Sequence, residues 1–316
     1  MHHLPLLSSS GLGYSVRVST VRERIGEYRI VGEMVRTPTH VTYEGAHVVL
    51  PRRALLKVMA APTEWLAVRA LREACFLEML QQHPGVARVY ECARLSDRRP
   101  WFARELVEGP TIATRLGAGG FERIEVLSVI RQLADVLAHA HQRGVIHGGL
   151  RPNRIILCDR ARGFPLCIAD WSDARAHDAA PIAYTPAAGS WHYAAPELIA
   201  GERVDDRADV YSLGVLAYQM LTGALPARGP GEHVPTELRC PDAPPELTLM
   251  IDQMLAFERW DRPSAAEIRA DLTWLGEMLA TSPLRIRRPR WTPELAFDEP
   301  GAYALPVTTR TIKPAK

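Results

Sequence analysis

The octapeptide His147-Gly148-Gly149-Leu150-Arg151-Pro152-Asn153-Arg154 decides the reading of this chain. Upstream of it, Phe121 to Arg143 carries Ile124, Leu127, Ile130, Leu133, Leu137 and Ala140 on one helical face, and Gly144 follows at the place of a helix stop. Downstream, Ile155-Ile156-Leu157 and Leu166-Cys167-Ile168 predict two short strands around a turn at Ala161-Arg162-Gly163. The octapeptide is therefore a loop between a long helix and a short hairpin.

Further out, the chain divides in two. Tyr28-Arg29-Ile30-Val31 and Thr39 to Tyr43 alternate, and Ala46 to Leu50 and Ala54 to Met59 are β-rich runs. Thr63 to Gln82 predicts a helix capped by Thr63, with Leu66, Ala70, Ala74, Leu77 and Leu80 at helical spacing. Val86 to Cys92 and Trp101 to Val107 predict further strands, giving a small five-stranded sheet with one main helix. After Gly109 helices take over, at Ala208–Leu221, Pro244–Phe257 and Ser264–Leu279, the last with Ser264 and Glu267 at capping-box spacing. Val210 to Ala227 has no charge and approaches membrane-spanning length, but Ser212, Gln219, Thr222, Gly223 and Pro226 interrupt it. A buried core helix is the expectation. The division is a leader over 1–25 without a period, a folded α+β unit over 26–280 and a Pro/Arg-rich tail over 281–316. The two lobes of that unit are predicted over about 26–106 and 107–280. The leader and the tail are expected to lack order of their own.

Composition sets bounds. The chain has 316 residues and a net charge of +2, which gives no argument for a nucleic-acid partner. Its five cysteines are scattered and odd in number, as expected of reduced thiols in a cytoplasmic protein rather than of a disulfide framework or zinc site. The first residues lack the basic region and apolar run of a secretory signal.

Several other segments fall in a recognisable order around the octapeptide. These are Ala54-Leu55-Leu56-Lys57, Arg72-Glu73-Ala74, Glu105-Leu106-Val107-Glu108-Gly109 and Ile168-Ala169-Asp170-Trp171-Ser172. Gly189 to Glu197, Asp209-Val210-Tyr211-Ser212-Leu213-Gly214 and Asp261-Arg262-Pro263-Ser264 follow. In this order and spacing they resemble the bacterial serine/threonine (eukaryotic-like) protein kinase family, from about Tyr28 to Leu279. The resemblance implies a bilobed fold, with a small β-sheet lobe and a larger, mainly helical lobe. It makes Lys57 the lysine that grips nucleotide phosphates and Glu73 its partner, with Glu78 as the alternative. Glu105 and Val107 become hinge residues whose backbone would meet an adenine, and Asp170 the metal-binding aspartate. His147, Glu197, Asp209 and Arg262 take bracing roles, Glu197 pairing with Arg262.

The chain also departs from the family's pattern. The catalytic loop H-R-D-L-K-P-x-N places Gly149 at the catalytic Asp, Arg151 at the Lys and Arg154 at the metal-binding Asn. Glycine has no side chain to act as a base, and a guanidinium cannot ligate Mg²⁺. The glycine-rich loop falls at Val35-Arg36-Thr37-Pro38-Thr39-His40, where Val35, Thr37 and His40 replace the glycines. Arg104, just before the hinge, either points into the adenine pocket or bridges to an acid.

Three readings follow. The first is a pseudokinase, without phosphoryl transfer, acting as a regulatory or protein-binding module in bacterial signalling. The others are a degenerate but working kinase and a sensor that binds ATP without turnover. No metal is expected, Asp170 being the only candidate ligand, and ATP binding is expected to be weak or absent, or metal-free. Ion pairing alone accounts for the retained charges, with Glu73 on Lys57 and Asp170 on Lys57 or Arg154. A protein partner is expected, and Trp291, Phe297 and Tyr303 in the tail are its candidate anchors. The basic cluster Arg285, Arg287, Arg288 and Arg290 in the same tail is expected to be solvated or to strap back onto the helical lobe.

Overall fold

A computed structural model describes residues 24–159, 162–179, 190–229 and 232–281. The leader before Arg24, the tail from residue 282 and the middle of the segment after Asp178 lie outside these residues, as do the expectations placed on them.

The small lobe is one antiparallel sheet and one long helix. Strands β1 (Arg24–Ile25), β2 (Tyr28–Arg36), β3 (His40–His47) and β4 (Arg53–Met59) are followed by helix α1 (Glu64–Leu80), then β5 (Val89–Arg94) and β6 (Pro100–Glu105). The sheet order is β1-β2-β3-β4-β6-β5. It has six strands rather than the expected five, because Arg24–Ile25 pairs with Tyr28–Arg29. The run Val48 to Leu50 forms a turn after β3 rather than a strand.

Period-two alternation places the side chains. Ala54, Leu56 and Val58 of β4 join Ile25, Tyr28, Trp101 and Ala103 in a small core on one sheet face. Lys57 and Met59 therefore face the other way, towards α1. On β6 the partners of Lys57 and Leu55 are Phe102 and Arg104, so these two share the face of Lys57. Helix α1 starts where Thr63 Oγ1 accepts the Leu66 N–H, and it buries Leu66, Ala70, Glu73, Ala74, Leu77 and Leu80 in one stripe.

The large lobe is built on helices. Helix α2 (Ile112–Gly117) leads into α3 (Arg123–His141), which opens on a capping box between Glu122 and Glu125. Then come β7 (Val145–Ile146), the octapeptide with a 3-10 turn at Pro152–Arg154, β8 (Ile155–Leu157), β9 (Leu166–Ile168) and β10 (Arg175–Ala176). Strands β8 and β9 pair as a hairpin, and β7 pairs with β10. Helices α4 (Pro196–Ala200), α5 (Arg207–Thr222), α6 (Thr236–Arg239), α7 (Pro245–Met254) and α8 (Ala265–Thr281) complete the lobe. Helix α5 is buried on nearly every face from Ala208 to Met220 and stops at Gly223, which has φ +75°. Among the described residues no helix is long and apolar enough to cross a membrane.

Candidate functional site

The alternation of β4 and the inward stripe of α1 bring Lys57 and Glu73 together. Lys57 Nζ donates to Glu73 Oε2 at 2.7 Å, with both side chains buried. Glu78 lies on the exposed side of α1, so Glu73 is the partner. Burial pushes the Glu73 carboxyl up against the pull of Lys57.

The octapeptide is held from below. Asp209, fully buried at the start of α5, accepts the main-chain N–H groups of His147 at 2.7 Å and Gly148 at 2.8 Å. His141 reaches the same carboxylate at 2.9 Å. His139, on the same helix, lies against His83 instead, with ring centroids 5.1 Å apart and the planes tilted by 59°. His147 lies against Trp171, and its Nε2 is 2.9 Å from the Asp170 carbonyl oxygen. Burial lowers its pKa to about 4, so the ring is neutral at pH 7 and donates from Nε2.

Arg154 fills the centre. Its Nη1 donates to the Gly149 carbonyl at 3.0 Å and its Nη2 to Ser172 Oγ at 3.1 Å. It pairs with Asp170 at 3.3 Å and with Asp173 at 2.7 Å, at only 4% side-chain exposure. A Cβ on Gly149 would stand 2.5 Å from Arg154 Nη1 and 2.7 Å from Asp173 Oδ2. The missing side chain at 149 and the arginine at 154 thus belong together sterically. Burial tends to raise the Asp170 pKa, but Arg154, Lys57 and the Ser172 N–H outweigh it and hold the carboxyl well below the usual range. Arg69 of α1 reaches Asp173 at 3.6 Å and ties the helix of the small lobe to the same cluster. Sequence reading missed Arg69 and Asp173. Arg69 precedes the inward Ala70, and Asp173 follows the recognisable triplet by one residue.

At the hinge, Glu105 and Val107 are half-buried. The Glu105 carboxylate pairs with Arg162, which also donates to the carbonyls of Pro84 and Val86. Arg104, 8% exposed, donates from Nη1 to the Glu105 main-chain oxygen at 3.1 Å. Of its two expected placements, the acid bridge is not formed among the described residues. The turn between β2 and β3 is knit by the Thr37, Thr39 and His40 side chains, each 3.1–3.3 Å from the others. Burial and the nearby Lys57 charge lower the His40 pKa to about 4. Arg151 is half-buried at the head of the 3-10 turn. Among the described residues no three His, Cys, Asp or Glu side chains are grouped to hold a metal ion.

Far from the cleft, Arg262 and Glu197 form a buried bidentate pair at 2.7 and 3.0 Å. Arg262 also donates to the carbonyls of Ala256, Phe257 and Arg207, which knits α4, α5 and the segment before α8.

The two-lobed architecture, with the Lys57–Glu73 pair between sheet and helix, matches a known family signature. The protein kinase domain covers residues 52–274 of the sequence. The chain belongs to this family. Among its relatives, the serine/threonine-protein kinase PknL of Mycobacterium tuberculosis is 31% identical over 83% of this chain and 69% of its own. The serine/threonine-protein kinase Pkn1 of Myxococcus xanthus is 33% identical over 70% of this chain. The chain spans only about a third of the length of Pkn1 and a quarter of that of pkn2 from the same organism. Among solved structures, the PknI kinase domain of M. tuberculosis superposes with a TM-score of 0.62 at 25% identity, covering 80% of this chain and 98% of that one. A single-residue mutant of that domain gives 0.61 at 24% identity, covering 82% and 98%. The protein kinase fold is thereby established for this bacterial-type serine/threonine kinase domain, with its curled sheet lobe and helical lobe.

Proposed function

We propose that this kinase domain does not transfer phosphate and acts as a protein-binding, regulatory module in bacterial signalling. The observation that carries the reading is Arg154, a buried cation fixed between Asp170 and Asp173 beside a residue with no side chain. The donor set does not suit a metal-bound triphosphate. The carboxylates of Asp170 and Asp173 already face a guanidinium, and a second cation beside them would be repelled. Pro38 contributes no N–H to the β2–β3 turn, and His40 stands neutral where a glycine would let phosphates approach. Lys57 and Glu73 are accounted for as an ion pair that braces the small lobe, and Asp170 as a partner of Arg154 within the large lobe. Weak or absent ATP binding, with no help from Mg²⁺, goes with this reading. Cytoplasmic location is part of the same proposal. So is a docking role for the tail aromatics Trp291, Phe297 and Tyr303, which lie outside the described residues.

The names of the relatives favour a second reading, residual kinase activity. The deciding experiment is incorporation of labelled phosphate into the protein itself and into generic acceptors. Incorporation no higher than a no-enzyme blank is expected. Incorporation that vanishes in Lys57→Ala would establish the second reading instead.

A further inference from the structure

Among the described residues, Arg104 is a buried cation without a carboxylate partner. Three other buried cations are paired: Lys57 with Glu73, Arg154 with Asp170 and Asp173, Arg262 with Glu197. Arg104 makes no ion pair with any described residue. The adjacent Glu105 carboxylate is taken by Arg162, and Glu73, which feels the Arg104 charge, is taken by Lys57. Among the described residues its one side-chain hydrogen bond goes to the Glu105 main-chain oxygen. The remaining guanidinium nitrogens are not among the fully sealed side-chain atoms that lack a partner, so the side chain is not closed off completely. Strand register sets Arg104 on the same sheet face as Phe102 and Lys57, which is the face of the cleft.

This arrangement inverts the polarity of the hinge. A bare main-chain oxygen seeks a donor, such as an exocyclic amine. Here that oxygen is satisfied from within, and the group presented in its place is a planar array of N–H donors. A ligand edge that brings an amine to this point sets donor against donor and leaves polar groups unpaired. An edge with two adjacent acceptors fits a guanidinium fork; guanine, with O6 and N7 side by side, has one, and adenine, with its N6 amine beside N7, does not. We propose that Arg104 makes the cleft select a purine with an acceptor edge, guanine over adenine. The proposal rests on reading this cleft as the remnant of a nucleotide site. It concerns the base alone, so it does not depend on whether phosphate is transferred.

Neutral nucleosides isolate the base from the metal and phosphate region. Calorimetric titration of the full chain with guanosine and adenosine should give guanosine an affinity at least about fivefold higher. In Arg104→Met the preference should disappear or reverse, because the Glu105 oxygen is released. Should that variant not fold, titration of the wild-type chain with 7-deazaguanosine decides. Loss of N7 should weaken binding about as much as the change to adenosine does. Equal or better binding of adenosine to the wild type, no detectable binding of either nucleoside, or indifference to N7 would each overturn the assignment. Phosphate incorporation in the earlier assay would overturn the pseudokinase reading and leave this result standing.

Discussion

Arg154 and Gly149 are best treated as one unit at the scale of single residues. Putting a carboxylate back with Gly149→Asp places a Cβ 2.5 Å from a guanidinium that four partners already hold. We expect that variant to gain no phosphate transfer, even combined with Arg154→Asn, because the β2–β3 turn still lacks its glycines. Transfer by the double variant above a no-enzyme blank would show that the turn is not limiting. Arg262 offers a contrast in energetics. Removing it leaves Glu197 buried and uncompensated, which typically costs about 3–5 kcal/mol. Arg36 pairs with Glu33 on the surface, at a side-chain exposure of 63%. Its removal should stay within about 0.5 kcal/mol. Urea midpoints of Arg262→Ala and Arg36→Ala compare the two directly, and equal midpoints would contradict the buried pair.

Element scale is where the sequence was most legible. Helix α1 starts at the expected Thr63 cap, and α8 starts at Ser264, which accepts the Glu267 N–H at 3.2 Å while Glu267 accepts the Ser264 N–H at 2.7 Å. Ser264→Ala should cost about 1 kcal/mol by denaturant titration, and no change would mean that the helix end is held by packing alone. Long amphipathic helices and alternating strands announce themselves because burial repeats with their period. The elements that went unread are short: α2, α4, α6, β1, β7 and β10 each span six residues or fewer. Stretches of that length carry too few periods, and tertiary pairing fixes them, as when β7 finds β10 across the octapeptide. The same limit applied in the cleft. Lys57, Glu73, Asp170 and Arg154 could be placed from motif spacing. Asp173 and Arg69 could not, since their roles arise only when α1 closes over the octapeptide.

For the whole molecule, one buried and one half-buried histidine set an acid limit on stability. His147 and His40 have pKa values lowered to about 4 in the fold, against 6.5 for an ordinary imidazole. Between pH 6.5 and 4 the unfolded chain binds protons that the fold refuses, so stability falls as pH falls through this window. For fully buried His147 the loss approaches about 3 kcal/mol at the acid end. Replacing it in His147→Asn should flatten the decline in urea midpoint, and an unchanged slope would place the titration elsewhere. The central cation has a different consequence for the molecule. A metal or nucleotide that clamps two lobes is subject to mass action, and its hold fades as its concentration drops. The guanidinium between Asp170 and Asp173 is covalently attached, so it has no dissociation constant and cannot be depleted. Through Arg69, the posture of α1 is joined to that permanent charge. Chelators, dialysis and added Mg–ATP should therefore leave the melting temperature unchanged; a fall with EDTA would show a removable ion at work. On the proposed reading, what remains able to move this domain is a ligand or partner that discriminates between its postures, and the arrangement around Arg154 is a standing surface rather than a reply to cellular energy charge.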